Sequence, residues 1–173
     1  ILIYILSIII PGIILLIEYK KKIDFPEILN LLLAKIALSS GNTEQAKDYL
    51  FKLINKYPNS YIGHKTLAEV YEKEEKYSIA VDEYIRASEI NNKDIKLNYN
   101  MARLLNKDER PEEAITVLQD ILKKKPEYYE ATNLLGEILY TNERYKEAIN
   151  VYMNALRYNP GNYDLYYNLG MVY

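Results

Sequence analysis

Residues 129–162 read YEATNLLGEILYTNERYKEAINVYMNALRYNPGN, and this stretch decides the fold because its pattern recurs along the chain. Apolar residues recur at i, i+3, i+4 and i+7 in two successive runs, which is typical of two amphipathic helices. Small residues stand at positions 8 and 20 of the stretch, Gly136 and Ala148, where two helices can approach closely. Pro160 follows the second run, and proline cannot continue a helix. The stretch therefore predicts one helix-turn-helix unit.

The same positions recur when the stretch is shifted by 34 residues, without one insertion or deletion. The chain is therefore predicted to contain four repeat units, at 27–60, 61–94, 95–128 and 129–162, and a partial fifth at 163–173. The small residues at positions 8 and 20 of the earlier units are Ala34 and Ala46, Ala68 and Ala80, and Ala102 and Ala114.

This pattern resembles the tetratricopeptide-repeat family, whose unit is a 34-residue helix-turn-helix with small residues at positions 8 and 20 and proline near position 32. The resemblance covers Glu27 to the C-terminus. It implies an all-α fold, a right-handed superhelix (α-solenoid) of stacked units. Position 4, usually a large aromatic residue in the family, departs from the pattern, and we expect looser packing there or filling by neighbouring tyrosines. The residues at position 4 are Asn30, His64, Asn98, Thr132 and Tyr166, of which only Tyr166 fits.

The first 17 residues, ILIYILSIIIPGIILLI, are uncharged, and three lysines follow at 20–22. Seventeen helical residues span about 25 Å, slightly less than a hydrocarbon core of about 30 Å. We expect a transmembrane anchor at 1–17, with a cleaved signal segment and a buried soluble helix as alternatives. Residues 18–26 would then be a basic juxtamembrane linker. Since positive flanks favour the cytoplasmic side, the sequence predicts a single-pass membrane protein with a cytoplasmic repeat array.

Composition argues against several other functions. The formal net charge is −2, which does not favour nucleic acid as a partner, and there are no cysteines to form disulfides, thiolate metal sites or nucleophiles. The single histidine, His64, stands at a helix-packing position, and no glycine-rich phosphate loop is present. Helix ends or solvent-facing positions hold the acidic residues Glu72, Glu74, Glu75, Glu112 and Glu113 and the lysines at 123–125. We expect no catalytic residue, no metal and no cofactor.

The family resemblance implies that the function lies in a concave groove lined by the first helix of each unit. Its lining is apolar in the first unit, basic in the third, and acidic with tyrosines further on, so a peptide with the opposite charge order is the expected ligand. The candidate partner-binding residues are Lys65, Lys96, Tyr99, Asn100, Arg103, Asn133, Glu137, Tyr167 and Asn168.

We therefore expect a membrane-anchored, bacterial-type scaffold that binds a partner protein, peptide or helix in this groove and is not an enzyme. One alternative is that the repeats are the regulatory or substrate-recruiting part of a larger enzyme, such as a glycosyltransferase, whose catalytic domain lies beyond Tyr173. Another is self-association through the uncapped C-terminal repeat, because Leu169, Val172 and Tyr173 would lack the second helix that covers them.

Overall fold

The computed structural model describes residues 25–173, which form nine α-helices, so the all-α prediction is confirmed. The helices are α1 Phe25–Ser39, α2 Thr43–Lys56, α3 Tyr61–Lys73, α4 Tyr77–Ile90, α5 Ile95–Lys107, α6 Pro111–Lys124, α7 Tyr129–Thr141, α8 Tyr145–Tyr158 and α9 Tyr163–Val172. The odd-numbered helices are called first helices below and the even-numbered ones second helices. The fold is a helical-repeat solenoid whose chain divides into two compact parts, with the boundary between Gly63 and His64.

Helices α1, α3, α5 and α7 each end in the same type of turn. One residue of each turn adopts a left-handed conformation, and the following amide donates to a carbonyl five residues earlier, as Arg144 does to Leu139 at 2.8 Å. This is the Schellman motif, which satisfies carbonyl groups at a helix end. The left-handed residues are Gly41 (φ 79°), Glu75 (φ 58°), Glu109 (φ 59°) and Glu143 (φ 59°). Glutamate has a Cβ that glycine lacks, so three of the four turns contain backbone strain.

Side-chain caps set the starts of several helices. Asn42 Oδ1 accepts the Gln45 amide at 3.0 Å, and Asp94 Oδ1 accepts the Leu97 amide at 3.0 Å. These bonds satisfy amide groups that have no partner inside α2 and α5. Pro111 begins α6, where its missing N–H costs nothing because that donor would have no helical partner.

In the C-terminal part, His64–Tyr173, consecutive helices from α4 to α9 pack against each other, and α7 also contacts both α5 and α9. The helices α5, α7 and α9 therefore form one layer, and α6 and α8 pack behind it. Small residues allow this close packing: Ala102, Ala114 and Ala148 are fully buried. Gly136 lies so close to the ring of Tyr152 that an added Cβ would be 2.2 Å from its Cζ atom.

In the N-terminal part, α1 and α2 form a helical hairpin held by the buried Ala34 and Ala46. Leu50 and Leu53 of α2 complete this small core. The hydroxyl group of Ser60 donates to Glu27 Oε1 at 2.9 Å and so ties the start of α3 to α1.

The membrane prediction needs correction. Within residues 25–173, the longest helix is α1 with 15 residues, and no helix is both long and apolar enough to cross a bilayer. At 1.5 Å per residue, α1 spans about 22 Å, compared with about 30 Å for a hydrocarbon core. The predicted localisation, a single-pass membrane protein with a cytoplasmic array, is therefore not supported and is corrected here. The segment 1–17, on which that prediction depended, lies outside the described residues.

Candidate functional site

Two open hollows lie side by side on the surface formed by α5, α7 and α9, which we call the first-helix face. The first hollow, between α5 and α7, has a volume of about 500 Å³. The second, between α7 and α9, has a volume of about 350 Å³. Asn133 and Glu137 line both. Both volumes lie within the range of roughly 300–1,000 Å³ that is usual for ligand sites. Because the hollows adjoin, an extended ligand can occupy both.

The first hollow has a basic side and an acidic side. Arg103 and Lys107, one helical turn apart on α5, line the basic side. Glu130 and Glu137 on α7 line the acidic side. A ligand lying across both helices therefore meets positive charge first and negative charge second.

Arg103 is held in place by an ion pair with Glu72 of α3. The two side chains are 32% and 23% exposed, so a ligand carboxylate can reach the guanidinium and compete with Glu72. Partly exposed ion pairs of this kind contribute little to stability, on the order of 1 kcal/mol or less. The sequence interpretation of Glu72 as a solvent-facing residue missed this contact.

Tyrosine side chains supply most of the aromatic surface of the face. The ring of Tyr99 packs edge-on against that of Tyr128, with their centroids 5.8 Å apart. Burial raises the pKa of Tyr129. Burial, with a smaller contribution from the nearby Glu137 charge, raises the pKa of Tyr152 to about 12. The hydroxyl groups of Tyr129 and Tyr152 are therefore protonated at neutral pH and can donate hydrogen bonds.

The second hollow is less charged than the first. Asn168 Nδ2 donates to Asn133 Oδ1 at 2.5 Å, and this bond links α9 to α7. Tyr167 and Met171 are 68% and 58% exposed along the edge of the hollow. Exposed tyrosine and methionine side chains offer apolar surface that a ligand can cover.

Six of the nine predicted site residues line the two hollows, and three do not. The six are Tyr99, Arg103, Asn133, Glu137, Tyr167 and Asn168. Lys65 instead lies 3.3 Å from Asp94 in an ion pair, and Lys96 and Asn100 line neither hollow. Contact of any of the nine with a partner stays a prediction.

Nine of the fifteen residues that line the two hollows are not among the predicted site residues, and Tyr129 and Tyr152 are two of them. Tyr129 occupies the first position of its unit, which the family pattern leaves unassigned. Tyr152 belongs to a second helix, α8, yet it lines the second hollow. A large aromatic residue with a polar tip, opposite the glycine at 136, was the signal that could have identified it.

The single histidine belongs to the interior of the C-terminal part. His64 Nδ1 lies 2.6 Å from Glu83 Oε2, and both side chains are buried. Glu83 Oε1 accepts a hydrogen bond from Arg86 Nη1 at 2.6 Å. Within residues 25–173, no three His, Asp or Glu side chains are placed to hold a metal ion.

Two family models match the sequence. The model of the tetratricopeptide repeat protein 21 C-terminal ARM domain matches residues 17–131, more than half of the chain. A tetratricopeptide-repeat model matches residues 136–173. The chain belongs to the tetratricopeptide-repeat family. A comparison with curated proteins gave no match.

This tetratricopeptide-repeat chain is also similar to solved structures. The MamA protein structure is 16% identical with a TM-score of 0.76, and the match covers 87% of this chain and 82% of that one. YrrB, described as a tetratricopeptide-repeat protein with an unusual peptide-binding site, is 24% identical with a TM-score of 0.69, over 91% and 79% of the two chains. PilF of Pseudomonas aeruginosa is 25% identical with a TM-score of 0.64, over 86% and 68%.

Proposed function

We propose that this tetratricopeptide-repeat protein is an interaction scaffold that binds an extended segment of a partner protein along the first-helix face. The observation that carries the proposal is the pair of adjoining hollows that share Asn133 and Glu137. Backbone groups within helices are bonded to each other, so recognition on this face depends on side chains. The proposal agrees with the family, whose members are generally non-catalytic scaffolds.

The charges on the face specify the order of residues in the ligand. Neighbouring packed helices lie about 8–10 Å apart, and an extended peptide advances about 3.3 Å per residue. A ligand that crosses the face therefore advances about three residues for each helix. We propose an acidic residue over Arg103 and Lys107, a basic residue over Glu130 and Glu137, and an apolar residue near Met171, because this order complements the face.

The polar chemistry of the face suits a peptide. Tyrosine provides contact area at a small cost in conformational entropy, and asparagine offers both donors and acceptors to a peptide backbone. Asn133 lies where the two hollows meet, so it is placed to bond the ligand backbone midway along its path. YrrB, which shares the fold, is described as having a peptide-binding site.

We also propose that the repeat units keep the limits predicted from the sequence, 27–60, 61–94, 95–128 and 129–162, with a fifth opening at 163. Four first helices begin 34 residues apart, at Tyr61, Ile95, Tyr129 and Tyr163, which supports these limits. With them, the first-helix face contains equivalent positions of the third, fourth and fifth units.

Photo-crosslinking tests the proposal. A photo-reactive residue replaces Tyr99 or Tyr167 in the full-length protein in its native cell, and adducts are identified by mass spectrometry. The matched control replaces Lys146, an exposed residue of α8 that lines neither hollow.

We expect Tyr99 and Tyr167 to capture neighbouring positions of one partner segment, and Lys146 to capture none of it. The proposal is wrong if both positions capture nothing beyond the control. It is also wrong if the adducts are copies of this chain, since that result would assign the face to self-association.

A further inference from the structure

A second docking position lies away from the first-helix face, in an open cleft of about 510 Å³ between α6 and α8. Thr132 and Leu135 of α7 and Ala155 of α8 form its floor, and all three are buried. Lys123 and Arg157 stand among its exposed lining residues. The cleft shares no lining residue with either hollow of the first-helix face.

Small side chains line the cleft at positions that hold larger ones two units earlier. In α3 and α4, 68 residues earlier, the positions of Thr132 and Val151 hold His64 and Glu83. Those two side chains are buried and fill the space with a 2.6 Å contact. Threonine and valine are shorter and cannot reach each other in this way, and both line the cleft. Thr132 stands at position 4 of its unit, where looser packing or filling by tyrosines stays a prediction.

The charged residues that line the cleft, Lys123 and Arg157, are both positive. Four of the five arginines in the sequence form ion pairs in the structure, and Arg157 is the exception among the described residues. Lys123 also forms no ion pair within residues 27–173. The residues that line the cleft include no carboxylate. In a chain of formal net charge −2, this local excess of positive charge favours an acidic ligand.

We propose that the cleft is a second docking surface, and that its occupant is an acidic peptide segment of a partner protein. One apolar side chain of the segment enters between α6 and α8 and covers Leu135 and Ala155. Flanking carboxylates pair with Lys123 and Arg157, and the guanidinium can bind a carboxylate through two parallel hydrogen bonds. An apolar centre with a charged rim is the usual composition of a protein interface.

The probe is a capped synthetic peptide of sequence Gly-Asp-Glu-Leu-Glu-Asp-Gly, titrated into the isotope-labelled protein and followed by amide chemical shifts. We expect the largest shift changes in α6 and α8 around the cleft. Lys123→Glu should weaken the affinity by about tenfold, because it replaces an attraction with a repulsion. Lys146→Glu makes the same charge change on α8 outside the cleft and should leave the affinity within about twofold.

Two further variants separate the roles of space and charge. Thr132→Trp fills the cleft and should abolish the shift changes, with circular dichroism checking that the variant is folded. If Thr132→Trp does not fold, the comparison of Lys123→Glu with Lys146→Glu still decides whether the peptide binds in the cleft. A probe with lysines in place of its acidic residues should not bind.

The proposal is overturned if the shift changes fall on α5 and α9 and not on α6 and α8, since the peptide would then occupy the first-helix face. It is also overturned if Lys123→Glu and Lys146→Glu have equal effects, or if no shift changes at millimolar peptide. Shift changes in α6 and α8 on concentrating the protein alone would assign the cleft to a second copy of this chain and would equally contradict the proposal.

Discussion

Replacing Gly136 with alanine is the sharpest test of the packing between first and second helices. The added Cβ would lie 2.2 Å from both Cζ and the hydroxyl oxygen of Tyr152, whose side chain is only 4% exposed. The rigid ring must therefore move, and overpacking of a core typically costs about 1–3 kcal/mol. Alanine favours the helix over glycine by about 1 kcal/mol, so we expect a net loss of about 1 kcal/mol in the free energy of unfolding.

Gly136→Ala should change the free energy of unfolding in the opposite direction when Tyr152 is first replaced by leucine. Leucine is the residue at this position two helices earlier, where Leu118 is matched with Ala102, so alanine fits opposite it. In the Tyr152→Leu background, Gly136→Ala should therefore stabilise by up to about 1 kcal/mol through helix propensity alone.

Urea unfolding of the four proteins, followed by circular dichroism at 222 nm, measures both effects and their difference. In thermal unfolding, 1 kcal/mol corresponds to a shift of about 2–4 °C for a chain of this size. If Gly136→Ala changes the free energy of unfolding by the same amount in both backgrounds, the close contact between glycine and the tyrosine ring is refuted.

Three other predictions concern the turns, the tyrosine and the small core residues. Glu109→Gly and Glu143→Gly should each raise the melting temperature, with a gain of about 0.5–1 kcal/mol, because both residues have φ near 59° and glycine adopts this conformation without strain. The pKa of Tyr152 is raised from 10.0 to about 12, so between these values only the unfolded state loses the phenol proton. Stability should therefore fall as pH rises through this window, and the Tyr152→Phe variant should lose less stability than the wild type. Urea midpoints of both proteins at about pH 9 and about pH 11 measure the difference. Ala148→Leu should destabilise by about 1–3 kcal/mol, since this fully buried position has no room for added methylene groups, and a wild-type unfolding midpoint would contradict the repeat register.

The helical architecture could be predicted from the sequence because the repeat period and the small residues at positions 8 and 20 indicate it directly. Positions such as Ala114 and Ala148 are small wherever two helices meet, and the structure buries both. Pro111 could be placed at a helix start because only a first-turn position tolerates it. Predictions from local features of this kind do not depend on how one repeat packs against the next.

The ion pair between Glu72 and Arg103 could not be predicted in the same way. These residues are 31 positions apart, and their contact depends on the spacing between α3 and α5. The cleft above Thr132 could not be predicted either, because its size depends on α6 and α8 together. The predicted single-pass localisation is not supported, because no helix within residues 25–173 is long and apolar enough to cross a bilayer, and the segment 1–17 lies outside the described residues.

Charge reversal on the first-helix face tests the central claim most directly. The partner segment captured at Tyr99 is made as a labelled peptide, and its affinity is measured by fluorescence anisotropy for the wild type, Glu137→Lys and Glu89→Lys. Glu89 is an exposed residue of α4 outside both hollows, so its reversal is the matched control. We expect Glu137→Lys to weaken binding by about tenfold or more and Glu89→Lys to change it by less than about twofold. Equal affinities for the two variants would contradict a ligand site at Glu137.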